Sequence, residues 1–157
     1  MSIKTRQLYN PDTEFFTEFS KWLRVQPELC SKTYGLDIEN VDYIIHKFKD
    51  DVCKIMLVEE KRYMYDLRFA QRDTFSIIDQ ALKILSERRF ITTHRGVKLF
   101  KYYGFHLIQF EKTNPDDGKI FIDGKEVTRD DLITFLKFEK PEDWYISYFD
   151  KVQPLEG

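Results

Sequence analysis

The run Lys54-Ile55-Met56-Leu57-Val58-Glu59-Glu60-Lys61-Arg62 constrains this chain more than any other stretch. Its first half is mostly apolar, as in a buried strand, and it then ends abruptly in two carboxylates and a lysine. Side chains alternate along a strand, so Glu59 and Lys61 project from one face and Glu60 from the other. Charged groups are seldom fully buried unless they are paired or bind a metal. Two readings follow. Either the strand has reached solvent and Glu59 simply pairs with Lys61, or the strand delivers an acid and an amine to a site.

The neighbouring segments sharpen that choice. Upstream, Val41 to Phe48 reads as a strand with Asp42, Ile44 and His46 on one face and Val41, Tyr43 and Ile45 on the other. Lys49-Asp50-Asp51 is a polar turn leading directly into the next strand, so the two strands are expected to form a hairpin. Hairpin pairing sets the start of the first strand beside the end of the second, which brings Asp42 next to Glu59 and Lys61. Downstream, Leu67, Gln71, Phe75, Ile78, Leu82 and Leu85 recur at three-four spacing, predicting a helix over about 66–88. Gln71 is the polar member of that stripe, and a buried amide must find partners. It is either a satisfied core or rim amide, or a carboxamide aimed at the pocket of Asp42, Glu59 and Lys61.

Elsewhere, Asn10-Pro11 and the apolar set Phe15, Phe16, Phe19, Trp22 and Leu23 predict a helix over 11–24, with Glu14 and Glu18 beside the stripe and Pro27 as its stop. Strands are expected at 97–100 and 105–110, separated near Tyr103-Gly104, and again at 119–122 before an Asp123-Gly124 turn. Thr128 and Asp131 are spaced as a capping box for a last helix that buries Leu132, Ile133, Phe135 and Leu136. Residues 141–157 form an aromatic C-terminal tail that must pack on something, a partner subunit being one option. The expected fold is a single α/β domain over 1–157, with a mixed central β-sheet flanked by helices.

Composition narrows the function classes. Apolar residues make up 42% and charged residues 33% of the chain, which suits a globular domain rather than a disordered one. No run of about 18 apolar residues exists, so no transmembrane helix or membrane partner is expected. The start Met-Ser-Ile-Lys-Thr-Arg lacks an apolar signal stretch, and the two cysteines, Cys30 and Cys53, lack zinc spacing; a reducing cytoplasm is the simplest location. Net charge is −2, yet it is unevenly spread: residues 61–101 hold ten Lys/Arg against four Asp/Glu, interleaved with Phe90, Phe100, Tyr102 and Tyr103. Such clustering is either a solvated face or a phosphate-facing surface. His94 fits a phosphate or solvent contact better than a catalytic base, and His46 lies too far along its strand from Asp42 to join it.

Asp42, a hairpin, Glu59-Glu60-Lys61 and an inward Gln71 on the next helix together resemble the PD-(D/E)XK nuclease superfamily, with its restriction-endonuclease-like fold. Glu59-Glu60-Lys61 matches the (D/E)-x-K element and Asp42 the upstream aspartate; Val41 stands where a proline often precedes it, and Asp37 is a weaker rival for the aspartate position. The resemblance covers about residues 11–110. It implies a Mg²⁺- or Mn²⁺-dependent DNA endonuclease, of a site-specific or a junction-resolving kind, acting as a homodimer or higher homo-oligomer. Asp42 and Glu59 would then bind the metal, with Glu18 or Glu14 as a further ligand. Lys61 and Gln71 would serve catalysis, and Arg68, Arg72, Arg95 and Lys98 would hold the DNA. The alternative is a module that keeps the fold and binds nucleic acid or protein without cutting. An RNA-processing enzyme would share the same phosphodiester chemistry.

Overall fold

The apolar run is the centre of the sheet because both of its faces are covered. In the computed structural model, which describes residues 18–30 and 40–151, it forms strand β2, Val52–Lys61. Its partners are β1, Tyr43–Lys49, and β4, Gly96–Phe110. Strand β1 pairs antiparallel to β2, with Tyr43 opposite Val58 and Lys49 opposite Val52. The hairpin closes on Asp50 and Asp51, both at positive φ (54° and 60°), the conformation that matches the twist of a two-residue loop.

Strand β4 runs parallel to β2, from Val52 opposite Leu99 to Lys61 opposite Gln109. A parallel pair needs a long crossover, and helix α3, Phe69–Arg88, provides most of it. On its other edge β4 pairs with β3, Phe90–Thr93, near its start and with β5, Ile120–Ile122, near its end. Strand β6, Lys125–Val127, completes a mixed six-stranded sheet ordered β1-β2-β4-β5-β6 with β3 beside β4. This is the expected α/β class.

Alternation along the strands separates two cores. Met56 and Val58 join Ile108, Phe110, Ile120 and Ile122 beneath α4, Arg129–Leu136. Leu57 joins Phe105 and Leu107 beneath Leu67 and Phe75 of the α3 side and Tyr148 of α5, Tyr148–Lys151. The Asp123-Gly124 turn and the reciprocal Thr128–Asp131 cap form as the sequence leads one to expect. Ile133 departs from expectation, being 38% exposed on the outer side of α4.

The expected break near Tyr103-Gly104 is a bulge in one continuous strand. Ile55 faces Tyr102 and Leu57 faces Phe105, so two residues of β4 are accommodated against Met56. Gly104 takes φ +90°, and an added Cβ would lie 2.7 Å from the Tyr145 carbonyl oxygen and 3.0 Å from His106 Nε2.

The chain divides into two compact units, 1–38 and 39–157. Within the first, α1, Glu18–Val25, ends before Pro27, which opens the short α2, Pro27–Cys30. Gln26 Nε2 donates to the Trp22 carbonyl at 3.0 Å, and Phe19 and Trp22 stack in an exposed pair.

Residues 141–151 pack on their own domain. Tyr145 stacks on Phe135, and its hydroxyl donates to the Phe135 carbonyl at 2.8 Å. Ser147 Oγ donates to the buried carboxylate of Asp79 at 2.9 Å, beside the Tyr102 hydroxyl at 2.6 Å. Lys83 sits 2.8 Å from Asp79 and 2.6 Å from Asp150, tying α3 to α5. The fully buried His106 bridges Asp123 (2.7 Å) and the Tyr103 carbonyl (2.6 Å), and Lys151 meets the same Asp123 at 2.9 Å.

Gly104→Ala is expected to lower folding stability by roughly 2–4 kcal/mol, through strained φ and the clash with the 145–147 segment. Equilibrium denaturation checks this; an unchanged midpoint would show that the bulge relaxes freely.

Candidate active site

Four residues named from the sequence meet at the C-terminal end of β2. The hairpin register carries Asp42 to Glu59: the Asp42 backbone N–H donates to Glu59 Oε2 at 3.2 Å, and the Glu60 N–H donates to Asp42 Oδ2 at 2.9 Å. A bend at Asp42 interrupts the alternation, so Val41 joins the α3-side core whereas Tyr43 and Ile45 join the α4 side. Asp42 itself is exposed, and Glu59 is only 3% exposed.

Gln71 holds the group together from the first turn of α3. Its Oε1 accepts from Lys61 Nζ at 3.0 Å and from the Arg68 backbone N–H at 3.1 Å, while its Nε2 approaches Glu59 Oε1 at 3.4 Å. Arg68 is the N-cap residue, and an arginine side chain has no acceptor with which to cap. Gln71 therefore satisfies the helix end by reaching back. With its amide engaged in this way, Gln71 is a positioning residue that sets Lys61 and Glu59. Lys61 Nζ lies 3.8 Å from Glu59 Oε1, a loose ion pair.

These contacts leave Glu59 short of compensation. Burial first, and then the nearby charge of Asp42, push its carboxyl up to about 8, with the Asp42 N–H and the Lys61 ammonium only partly opposing them. Burial likewise raises Glu60, which points to the other face and meets Arg62 at 3.8 Å. A buried acid whose charged form is disfavoured beside a second acid is suited to a hard cation, which takes carboxylate oxygens and keeps water or phosphate on its remaining positions. Asp42 and Glu59 are the two side chains that could hold one. Among the described residues, no group of three or more His, Cys, Asp or Glu side chains is placed so that it could hold a metal ion.

The other named residues are placed differently. Glu18 stands in the first turn of α1, in the first unit; Glu14 and Asp37 lie outside the described residues. Arg68 and Arg72 open α3 beside the site, Arg72 meeting Asp66 at 2.8 Å and the Leu67 carbonyl at 3.3 Å. Arg95 and Lys98 lie at the opposite end of β2, with His94 around a pocket of about 400 Å³ at the β1–β2 turn; Lys98 pairs with Asp51 at 2.6 Å. The ten residues of β2 span roughly 30 Å, so these groups and Glu59 could share only a substrate about one duplex turn long.

The basic third is thus not one surface. Phe100 is buried, Tyr102 and Tyr103 pack into the cores, and Lys83 is held by acids. His46 is exposed on β1. Cys53 is buried, which pushes its thiol up, as befits a small core residue. Two residues beside the site went unnoticed in the sequence: Gln109, opposite Lys61, which ties down the following loop through the Tyr65 carbonyl (2.9 Å), and Asp66, which anchors Arg72. Gln109 carried a signal, as the polar residue on the otherwise apolar face of Phe105 and Leu107 at the strand end; Asp66, in the connection to α3, carried none.

Compared with known proteins, the chain matches no family model, no curated protein and no solved structure.

Glu59 holds its proton more tightly when folded than when unfolded. The stability this contributes is complete below about pH 4.5 and is lost as pH rises through about 8. Without added metal, the thermal midpoint is therefore expected to fall between about pH 5 and 8, and Glu59→Gln to flatten that fall. Identical pH slopes in the two proteins would contradict the buried-carboxylate account.

Proposed function

We propose that the chain is a metal-dependent endodeoxyribonuclease of the PD-(D/E)XK kind, hydrolysing phosphodiester bonds at the Asp42–Glu59–Lys61 site. The observation that carries this reading is the under-compensated carboxylate of Glu59, buried beside Asp42 and Lys61 where the central strand leaves the core. The spacing of the acid and lysine, the hairpin aspartate and the inward glutamine supply the resemblance. The geometry supplies their convergence.

Asp42 and Glu59 would hold Mg²⁺ or Mn²⁺. Bound there, the cation would polarise the scissile phosphate and make a water more acidic. Glu59 would have to bind the cation as a carboxylate, so its raised proton affinity would compete with the metal. The Lys61 ammonium, steered by Gln71 and 3.8 Å from Glu59, would stabilise negative charge building on the phosphate oxygens. Arg68 and Arg72 at the start of α3 engage flanking phosphates, fixing position rather than sequence. In this class small enzymes act as homodimers or higher homo-oligomers, so that two sites meet two strands, and we extend that arrangement to this chain. A chain with two cysteines and no zinc spacing suits a reducing compartment such as the cytoplasm. No helix among the described residues is long and apolar enough to cross a membrane.

Incubation with supercoiled, linear and branched DNA in Mg²⁺ tests the proposal. Cleavage is expected to fall at least about 100-fold in Glu59→Gln and in Asp42→Asn with folding intact. Lys61→Ala should suppress cleavage more than DNA binding. Full activity in any of the three variants would remove that residue from the site. Arg68→Ala and Arg72→Ala are expected to weaken binding and to lower its salt dependence by about one unit of slope each. An unchanged slope would take the DNA off this helix end.

A further inference from the structure

The chain leaving Lys61 displays large side chains that would ordinarily be inside. Between β2 and α3, Tyr63 is 57% exposed, Met64 40% and Tyr65 68%, and Phe69, the first residue of α3, is 81% exposed. Among the described residues, the rings of Tyr63, Tyr65 and Phe69 contact no other ring, unlike Phe75, Phe105, Phe135 and Tyr145 of the cores.

This display is built, not loose. Tyr63 and Met64 are successive non-glycine residues at positive φ, 53° and 61°, which persists only where the surroundings impose it. The Tyr63 N–H donates to the Lys112 carbonyl at 3.0 Å, and the Tyr65 N–H to the Arg62 carbonyl at 3.1 Å. Gln109, buried on β4 opposite Lys61, donates through Nε2 to the Tyr65 carbonyl at 2.9 Å and approaches that of Met64 at 3.5 Å. The strands that set the site therefore also set the rings beside it. Lys61, Arg62, Arg68 and Arg72 accompany them, against the single acid Asp66 in residues 61–72.

Cations with exposed aromatic faces, next to a phosphodiester site, complement a nucleic-acid strand whose bases are unstacked. A continuous duplex hides its base faces, whereas an unpaired strand offers one face per nucleotide. We propose that Tyr63, Tyr65 and Phe69 form a stacking platform for unpaired bases next to the cleaved phosphate, so that the substrate is DNA with single-stranded or branched character rather than continuous duplex. This rests on the nuclease reading of the Asp42–Glu59–Lys61 site.

Anisotropy titrations of the full chain, in EDTA and in Ca²⁺, with a short single strand, an abasic strand of equal length and charge, and a blunt duplex test it. The base-bearing strand is expected to bind about tenfold or more tighter than the other two. Tyr65→Ala and Phe69→Ala should each remove about tenfold from that affinity, leave abasic and duplex binding unchanged and keep the wild-type melting midpoint. A 2-aminopurine base in the strand should lose fluorescence on binding, and less so in the variants. Equal affinity for base-bearing and abasic strands, equal loss for all three probes, or no binding of the base-bearing strand would overturn the platform. Mg²⁺-dependent cleavage is scored separately: cutting without a preference for bases overturns the platform alone. Base-dependent binding without cutting overturns the link to a cleaved phosphate.

Discussion

Taking a carboxylate out of water costs several kcal/mol unless cations and hydrogen bonds offset it, and the arrangement at the end of β2 follows from how incompletely this is done for Glu59. Two other buried acids of the same domain are better compensated, although Asp79 Oδ2 accepts no hydrogen bond and has the Lys83 ammonium alone. Asp79 collects the Tyr102 hydroxyl, Ser147 and Lys83, all within 2.9 Å, and Asp123 collects His106, Lys151 and the Leu107 N–H within the same distance. Glu59 has contacts of 3.2, 3.4 and 3.8 Å and a neighbouring negative charge. The first two acids clasp the C-terminal segment onto the sheet. The third retains an affinity for positive charge.

Gln71 explains how such a group stays in place. One side chain finishes the N-terminus of α3, fixes the amine of Lys61 and touches Glu59, so the helix start and the site share one set of hydrogen bonds. The sheet adds the rest: the hairpin register delivers Asp42, and the parallel register delivers Gln109, which shapes the loop carrying Tyr63 and Tyr65. The candidate site is thus assembled on paired strands of one sheet and one helix end.

Much of this was legible because it rests on local rules. Periodicity placed α3, the Asp-Gly and Asp-Asp turns closed hairpins, Thr128 and Asp131 capped α4, and hairpin pairing alone brought Asp42 to Glu59. What escaped depends on distant partners. Asp79 and His106 carry no local signal because their compensation comes from Ser147 and Asp123, far along the chain. Gly104 signals an interruption, but only the neighbouring strand shows that it is a bulge within β4 and not a gap between strands. Net charge groups Arg95 and Lys98 with Arg68 and Arg72, whereas topology sends the β3–β4 turn to the far end of the sheet. Residues 141–151 of the aromatic tail pack on their own domain, through Tyr145 on Phe135.

If the proposed site holds a metal, Glu59 exchanges a proton for the cation. Calorimetric titration of Mn²⁺ at neutral pH in buffers of different ionisation enthalpy measures that exchange directly, because binding enthalpy varies with the number of protons released. Binding is expected to release close to one proton in the wild type, and both the release and most of the affinity should vanish in Glu59→Gln. Binding without proton release, or equal affinity in the variant, would contradict the account.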